Sequence, residues 1–186
     1  MISLPISGPL GMESGLLRLA KAGDAAAFER ILAIWACPIL RVCTRILGNK
    51  QDAEDASQEV FLKLHKNLRK IEESIGPWLY RVAVNECRDR LRLRRDESPI
   101  DFELVLNAPG PEALAGVEQR KRIVLAGLLT LPEKERAALV LREVEGLSTR
   151  EVAEILESSE QTVRSQICTA RIKLKKFTDR MTRKPL

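Results

Sequence analysis

Gly146-Leu147-Ser148-Thr149-Arg150-Glu151-Val152-Ala153-Glu154-Ile155-Leu156-Glu157-Ser158-Ser159-Glu160-Gln161-Thr162-Val163-Arg164-Ser165-Gln166-Ile167 decides the fold. Ser148 and Glu151 stand three residues apart, the spacing at which a hydroxyl caps a first-turn amide while the carboxylate reaches back to the cap's own N–H. Gly146, just before, suits the end of a helix that begins near Glu133. The helix opened by Ser148 puts Val152, Ala153 and Ile155/Leu156 on one side. A turn at Glu157-Ser158-Ser159 follows, where either serine can cap the next helix. That helix starts near Glu160 and turns Val163, Ile167, Ala170 and Leu174 inward. Two helices joined by a three-residue turn make a helix-turn-helix, whose second helix enters a DNA major groove.

The charge agrees with that reading. Residues 160–186 hold eight Lys and Arg against two acids, a local +6, and residues 81–95 hold six against two, a local +4. The whole chain carries only +5 over 186 residues. The rest is therefore acidic, and two positive patches point to two contacts with one polyanion.

Upstream, residues 96–117 mix Pro99, Pro109, Gly110, Pro111 and Gly116 with Asp96, Glu97, Asp101 and Glu103, an acidic, proline-punctuated linker composition. It predicts two halves that move relative to one another. Residues 1–13 read as a flexible tail in which Met12 is an alternative start. Between tail and linker, Phe28, Ile31/Leu32, Trp35, Ile39, Val42/Cys43 and Ile46 recur at helical spacing behind Asp24, a cap candidate. Pro38 should kink or split that helix, and Gly48 should end it. A second helix is expected from Asp52 to about Leu68, with Ala53, Ala56/Ser57, Val60/Phe61, Leu64 and Leu68 inward. A third has Pro77 in its first turn and runs through Trp78, Leu79, Val82, Ala83, Cys87 and Leu91. The expected fold is all-α, two small helical domains joined by the linker, the second ending in the helix-turn-helix.

Composition excludes several alternatives. Hydrophobic residues at 45% and charged ones at 31% argue against wholesale disorder, and 4% aromatics argue against an all-β sandwich. The longest apolar run, Ile31 to Leu40, is too short for a bilayer span and contains Pro38. No basic segment precedes the apolar start, so no secretory signal is expected. Cys37, Cys43, Cys87 and Cys168 form no C-x-x-C pair and His65 is the sole histidine, so no metal, and no other cofactor, is expected. The thiols read as buried or half-buried in a reducing cytoplasm. No nucleophile–base pair, convergent acids or Gly-rich phosphate loop points to an enzyme.

Two helix faces remain. Arg81, Asn85, Arg88, Arg92 and Arg95 fall at intervals of four and three, one basic face opposed to the apolar stripe. Trp78 and Tyr80, near its start, suit either the core or base stacking, with core burial the better reading for Trp78. On the preceding helix Asp55, Gln58, Glu59 and Leu62 share a face. A polar patch with an apolar centre has the make-up of a protein-binding surface.

Asp55-Ala-Ser-Gln58-Glu59-Val-Phe61, then Trp78-Leu-Tyr-Arg-Val-Ala-Val-Asn85, then Leu131-Pro132-Glu133 and Gly146-Leu147-Ser148 before the helix-turn-helix, resemble bacterial sigma factors of the compact extracytoplasmic-function type. The resemblance spans about residues 14–95 and 118–178. It implies a factor that lends promoter specificity to RNA polymerase, with no catalysis of its own. It implies that Asp55, Gln58, Glu59 and Leu62 dock on the core enzyme. It assigns residues 14–95 to polymerase docking and the melted −10 element, and residues 118–186 to the duplex −35 element. Trp78, Arg81, Asn85, Arg88 and Arg92 then belong to the −10 surface. Glu160, Gln161, Arg164, Ser165, Cys168, Arg171 and Lys173 belong to the −35 surface, with Arg164 and Ser165 at bases or phosphates and Arg171 at the backbone. Further expectations are an anti-sigma partner and a cytoplasmic location, without membrane insertion.

The chain departs from the family pattern in the loop Lys70 to Gly76, which is short and lacks an aromatic, and at Glu157, where glycine is common. Gln166, Cys168 and Thr169 replace residues that are often basic or aromatic, which predicts a weak −35 affinity with a shallow salt dependence. The alternative is a helix-turn-helix regulator that works without polymerase, in which Gln58 and Glu59 have no task.

Overall fold

The computed structural model describes residues 10–72, 74–95 and 115–183. Among the described residues are eight α-helices and no strand: α1 (Leu10–Lys21), α2 (Ala25–Leu47), α3 (Lys50–Asn67), α4 (Ile75–Arg95), α5 (Ala115–Leu129), α6 (Glu133–Leu139), α7 (Thr149–Ile155) and α8 (Glu160–Arg183). A 3₁₀ turn at Leu68–Lys70 follows α3. A π-helical stretch at Val140–Val144 continues α6. Residues 1–9 of the expected tail and 96–114 of the expected linker lie outside the described residues. Residues 10–13 belong to α1 and 115–117 to the first turn of α5.

The helix at the centre is α2, against which α1, α3 and α4 all pack. The Asp24 carboxylate accepts the Ala27 N–H at 3.1 Å and opens it. Ile31, Trp35, Ile39, Val42 and Ile46 follow at steps of three and four, all buried. Each such side chain contributes about 1.5–3 kcal/mol relative to exposure. Gly48 closes the helix at φ +73°, donating its N–H to Thr44 O at 2.8 Å. Pro38 does not split it: α2 runs unbroken from Ala25 to Leu47. The carbonyl that loses its partner belongs to Ile34, on an exposed side of the helix, where water can serve it.

The second half is built around α8, which packs on α5, α6 and α7. The capping box is present in full, with Glu151 N–H on Ser148 Oγ at 3.2 Å and Ser148 N–H on Glu151 Oε2 at 2.7 Å. Of the two candidate serines, Ser159 caps α8, accepting the Thr162 N–H at 3.1 Å. Glu157 takes φ +51° in the turn, a left-handed conformation that glycine adopts without penalty.

The two halves touch. Buried apolar residues from α1–α4 and from α5–α8 form one contiguous core. The linker composition predicts mobility between halves, yet α2 touches α5, α6 and the π stretch, and α4 touches α7. Gly48 matters a second time here. A side chain on it would place its Cβ 2.6 and 3.0 Å from Leu129 Cδ2 and Cγ, so that leucine would have to shift where the ends of α2 and α5 meet. Cys43 and Cys87 are buried as expected, but Cys37 and Cys168 are exposed.

Candidate nucleic-acid interface

Three surfaces carry the predicted site residues. On α3, the apolar side (Ala53, Ala56, Val60, Leu64) is fully buried, which leaves Asp55 and Gln58 exposed, Glu59 half-buried and Leu62 52% exposed. None of the three polar side chains is engaged by another group among the described residues. Unpaired acids around an uncovered leucine favour a basic partner with an apolar contact point. Phe61 packs half-buried against the core, as its periodicity predicts.

On α4 the expected basic face is divided. Asn85 and Arg92 are exposed, with Arg92 only loosely paired to Asp89 at 3.9 Å. Arg88 instead lies 2.6 Å from Glu133 of α6, both side chains 21% exposed. Arg81 reaches the turn before α8, with Nε 3.9 Å from Glu157 and NH2 3.4 Å from Glu154 O. Trp78 is half-buried and packed against the core, and Tyr80 is wholly inside, edge-on to Trp35 with centroids 5.6 Å apart. The side chains of Arg94 and Arg95 lie outside what is described.

On α8, Val163, Ile167 and Ala170 are buried, so Gln161, Arg164, Ser165, Cys168 and Arg171 share the outer side, and Glu160 is half-exposed. Three of the predicted cations are held by the protein's own acids. Arg164 pairs with Glu160 at 2.8 Å, Arg171 with Glu143, and Lys173 with Glu135 at 2.8 Å. Lys175, Lys176 and Arg183 continue the exposed basic surface beyond them.

Sequence reasoning misses the charged cluster between these surfaces. Glu145 is 2% exposed, and its carboxylate accepts Arg41 Nε at 2.7 Å, Arg41 NH2 at 2.6 Å and Tyr80 OH at 3.0 Å. All three bonds come from the other half. The hydrogen bond with Glu145 raises the Arg41 pKa further above its ordinary value. The π stretch is what aims Glu145: its N–H bonds Val140 O, five residues back, at 3.3 Å, and the extra residue in the turn moves the side chain inward. Arg136 is equally buried and donates to Ile46 O at 2.5 Å, Leu129 O at 2.8 Å and Leu131 O at 2.9 Å. It thereby ties the last turn of α2 to the chain after α5. Burial pushes its pKa down to about 10.

Among the described residues no cluster of His, Cys, Asp and Glu could hold a metal, and no helix is long and apolar enough to cross a membrane. The Cys87 thiol, hydrogen-bonded to Cys43 and buried, titrates well above an ordinary cysteine, which makes it a poor nucleophile.

Comparison with known proteins agrees with the order of these surfaces. The family described as Sigma-70 region 2 matches residues 36–97, and Sigma-70, region 4 matches residues 121–174. The ECF RNA polymerase sigma factor SigW of Bacillus subtilis is 31% identical over 174 residues, spanning 86% of this chain and 93% of its own. The RNA polymerase sigma-H factor of Pseudomonas aeruginosa is 31% identical over 171 residues, spanning 84% and 88%. Among solved structures, CnrH in complex with the cytosolic domain of CnrY superimposes with a TM-score of 0.71 at 24% identity, over 90% of this chain and 97% of that one. The sigma factor RpoE, in complex with the anti-sigma factor NepR from Bartonella quintana, gives 0.64 at 18% identity, over 82% and 96%. At these identities the two structures speak for the fold alone.

Proposed function

The chain belongs to the extracytoplasmic-function sigma factors of bacterial RNA polymerase, and from that premise we propose how its surfaces divide the work. As a sigma factor it directs promoter-specific initiation by binding core polymerase and promoter DNA, and it carries no catalysis of its own. Residues 14–95 form the half that docks on polymerase and holds the −10 element, residues 96–117 the linker, and residues 118–186 the −35 half.

Asp55, Gln58, Glu59 and Leu62 are the polymerase contact in this proposal, because the three polar side chains are unpaired and Leu62 is exposed while Ala53, Ala56, Val60 and Leu64 on the opposite side of α3 are buried. Asn85 and Arg92 offer the −10 strand an amide and a guanidinium on the open side of α4, with Arg81 and Arg88 joining once freed from Glu157 and Glu133. Trp78, half-buried, contributes an edge rather than a full stacking face. On α8, Gln161, Arg164, Ser165 and Cys168 face the groove, and Arg171 and Lys173 reach phosphates by exchanging Glu143 and Glu135 for DNA. Glu160 acts through Arg164, holding its guanidinium until a base or phosphate takes over. An anti-sigma factor belongs among the partners in this reading, as membership of the family implies. The cytoplasm, where polymerase works, is the location.

The observation that carries this reading is the uncovered Leu62 amid unpaired acids, one helix before a basic face and one half before a helix-turn-helix. A regulator acting without polymerase leaves that surface without a use. The test is transcription in vitro, with the purified chain, bacterial core polymerase and fragmented genomic DNA of the source organism, followed by sequencing of transcript 5′ ends. Discrete starts that require the chain are expected. An active core enzyme that gains no starts, beside duplex binding by the chain alone, would favour the regulator.

A further inference from the structure

Glu59 and Lys63 stand four residues apart on α3, glutamate first, the order and spacing at which opposite charges pair along a helix. They do not pair. Lys63 Nζ lies instead 2.6 Å from Glu86 Oε2 on α4. Among the described side chains, Glu54, Glu86, Glu154 and Glu160 each pair with a cation four positions away on their own helix, respectively Lys50, Arg90, Arg150 and Arg164. Glu59 is the exception, and its carboxylate stays free on the face assigned above to polymerase.

Burial explains the choice that Lys63 makes. It follows Leu62 by about 100° around the helix axis, so it stands at the edge of the docking face, on the side of α4. Glu86 is 12% exposed, against 40% for Lys63. A carboxylate so far out of water attracts a cation more strongly than half-buried Glu59 does, and leaving it unpaired is the costlier outcome. Its other oxygen, Oε1, lies 3.4 Å from Arg90 Nε, so Glu86 serves one cation from each helix. Without Glu86, the acid that α3 itself offers to Lys63 is Glu59. The flexible four-carbon stem of the lysine needs only new rotamers to reach it.

That exchange harms docking twice. A paired Glu59 no longer presents a free carboxylate to a basic partner, and an ammonium group on the same face repels that partner. We propose that Glu86 is a positioning residue for polymerase binding: it withdraws Lys63 to α4 and so keeps Glu59 open to a basic group of the core enzyme. Glu86 acts through Lys63 and touches no partner itself. The proposal rests on the assignment of the α3 face made above.

The test is the affinity of the full chain for bacterial core polymerase without DNA, read by fluorescence anisotropy. Glu86→Met removes the acceptor at similar length and should weaken binding at least about threefold. Glu86→Met/Lys63→Met should return to within about twofold of wild type. Restored net charge alone predicts the same recovery, so a further variant separates the two causes. Glu86→Met/Lys66→Met has that same net charge, loses an exposed lysine one turn on, and keeps Lys63. It should stay at least about threefold weak. A crystal structure of Glu86→Met should place Lys63 Nζ within about 4 Å of the Glu59 carboxylate. Should Glu86→Met fold poorly by circular dichroism, Glu86→Gln with the same two second-site changes carries the test.

Wild-type affinity in the folded Glu86 variant, or equal recovery on removing Lys63 and Lys66, overturns the positioning role. Glu59→Gln tells this failure from that of the underlying assignment. If Glu59→Gln binds weakly while the Glu86 variant binds normally, the docking face stands and Glu86 has no part in it. If Glu59→Gln keeps wild-type affinity, the assignment of Glu59 is refuted and the role of Glu86 falls with it.

Discussion

Replacing Glu145 with glutamine keeps the shape at the contact between the halves and removes its charge. The carboxylate is 2% exposed and accepts three hydrogen bonds, two from Arg41 and one from Tyr80. Removing one member of a fully buried pair costs about 3–5 kcal/mol. Arg41 is 40% exposed and can turn back to water, and the amide oxygen still accepts from Tyr80, so the cost falls to about 2 kcal/mol. For a chain of this size that is a fall in melting temperature of about 4–8 °C. Urea unfolding of wild type, Arg41→Met, Glu145→Gln and the double variant closes a cycle, and the coupling between the two positions should be at least about 1 kcal/mol. Additivity within about 0.3–0.5 kcal/mol would refute the reasoning, as would two separate thermal transitions with neither moved by Glu145→Gln.

Four other expectations follow from features already described. Gly48→Ala should destabilise by about 2–4 kcal/mol in urea, combining strain at a positive φ with the clash against Leu129. Ser148→Ala removes a cap that accepts the Glu151 N–H and should cost about 1 kcal/mol in the same assay. Leu62→Glu should weaken binding to core polymerase by tenfold or more, read by fluorescence anisotropy, while leaving the melting temperature within about 1–2 °C, since the side chain is 52% exposed. Titration of −35 duplex binding with salt should give a log–log slope no steeper than about −3 to −4, because Arg164, Arg171 and Lys173 start out paired with acids.

The helix-turn-helix is legible because its signals are local. Ser148 and Glu151 are three residues apart, and Asp24 and Gly48 bracket α2 by rules that need no knowledge of the rest of the chain. The uncovered Leu62 follows from the period of the buried residues on its own helix. Glu145 cannot be found that way. Its partner Arg41 is 104 positions distant, and its inward aim depends on a π turn whose apolar sequence, Val140-Leu141, reads equally well as ordinary helix. Arg136 looks like one more surface cation in Glu133-Lys134-Glu135-Arg136, since nothing adjacent reveals that it ends beneath α2. The same kind of long-range contact brings the two halves against one another, which no local signal announces. Linker composition speaks only for the segment that carries it, not for the complementarity of what it joins.

The meeting of Gly48 and Leu129 has a colloidal consequence. Leu129 is 3% exposed because the end of α2 covers it, and Leu128 and Leu131 beside it are covered as well. Separation of the halves wets that strip on one side and the end of α2 on the other. An opened chain without a partner is thus adhesive toward its own copies. Closure keeps Leu128, Leu129 and Leu131 out of water and so removes a contact through which copies of the chain would associate.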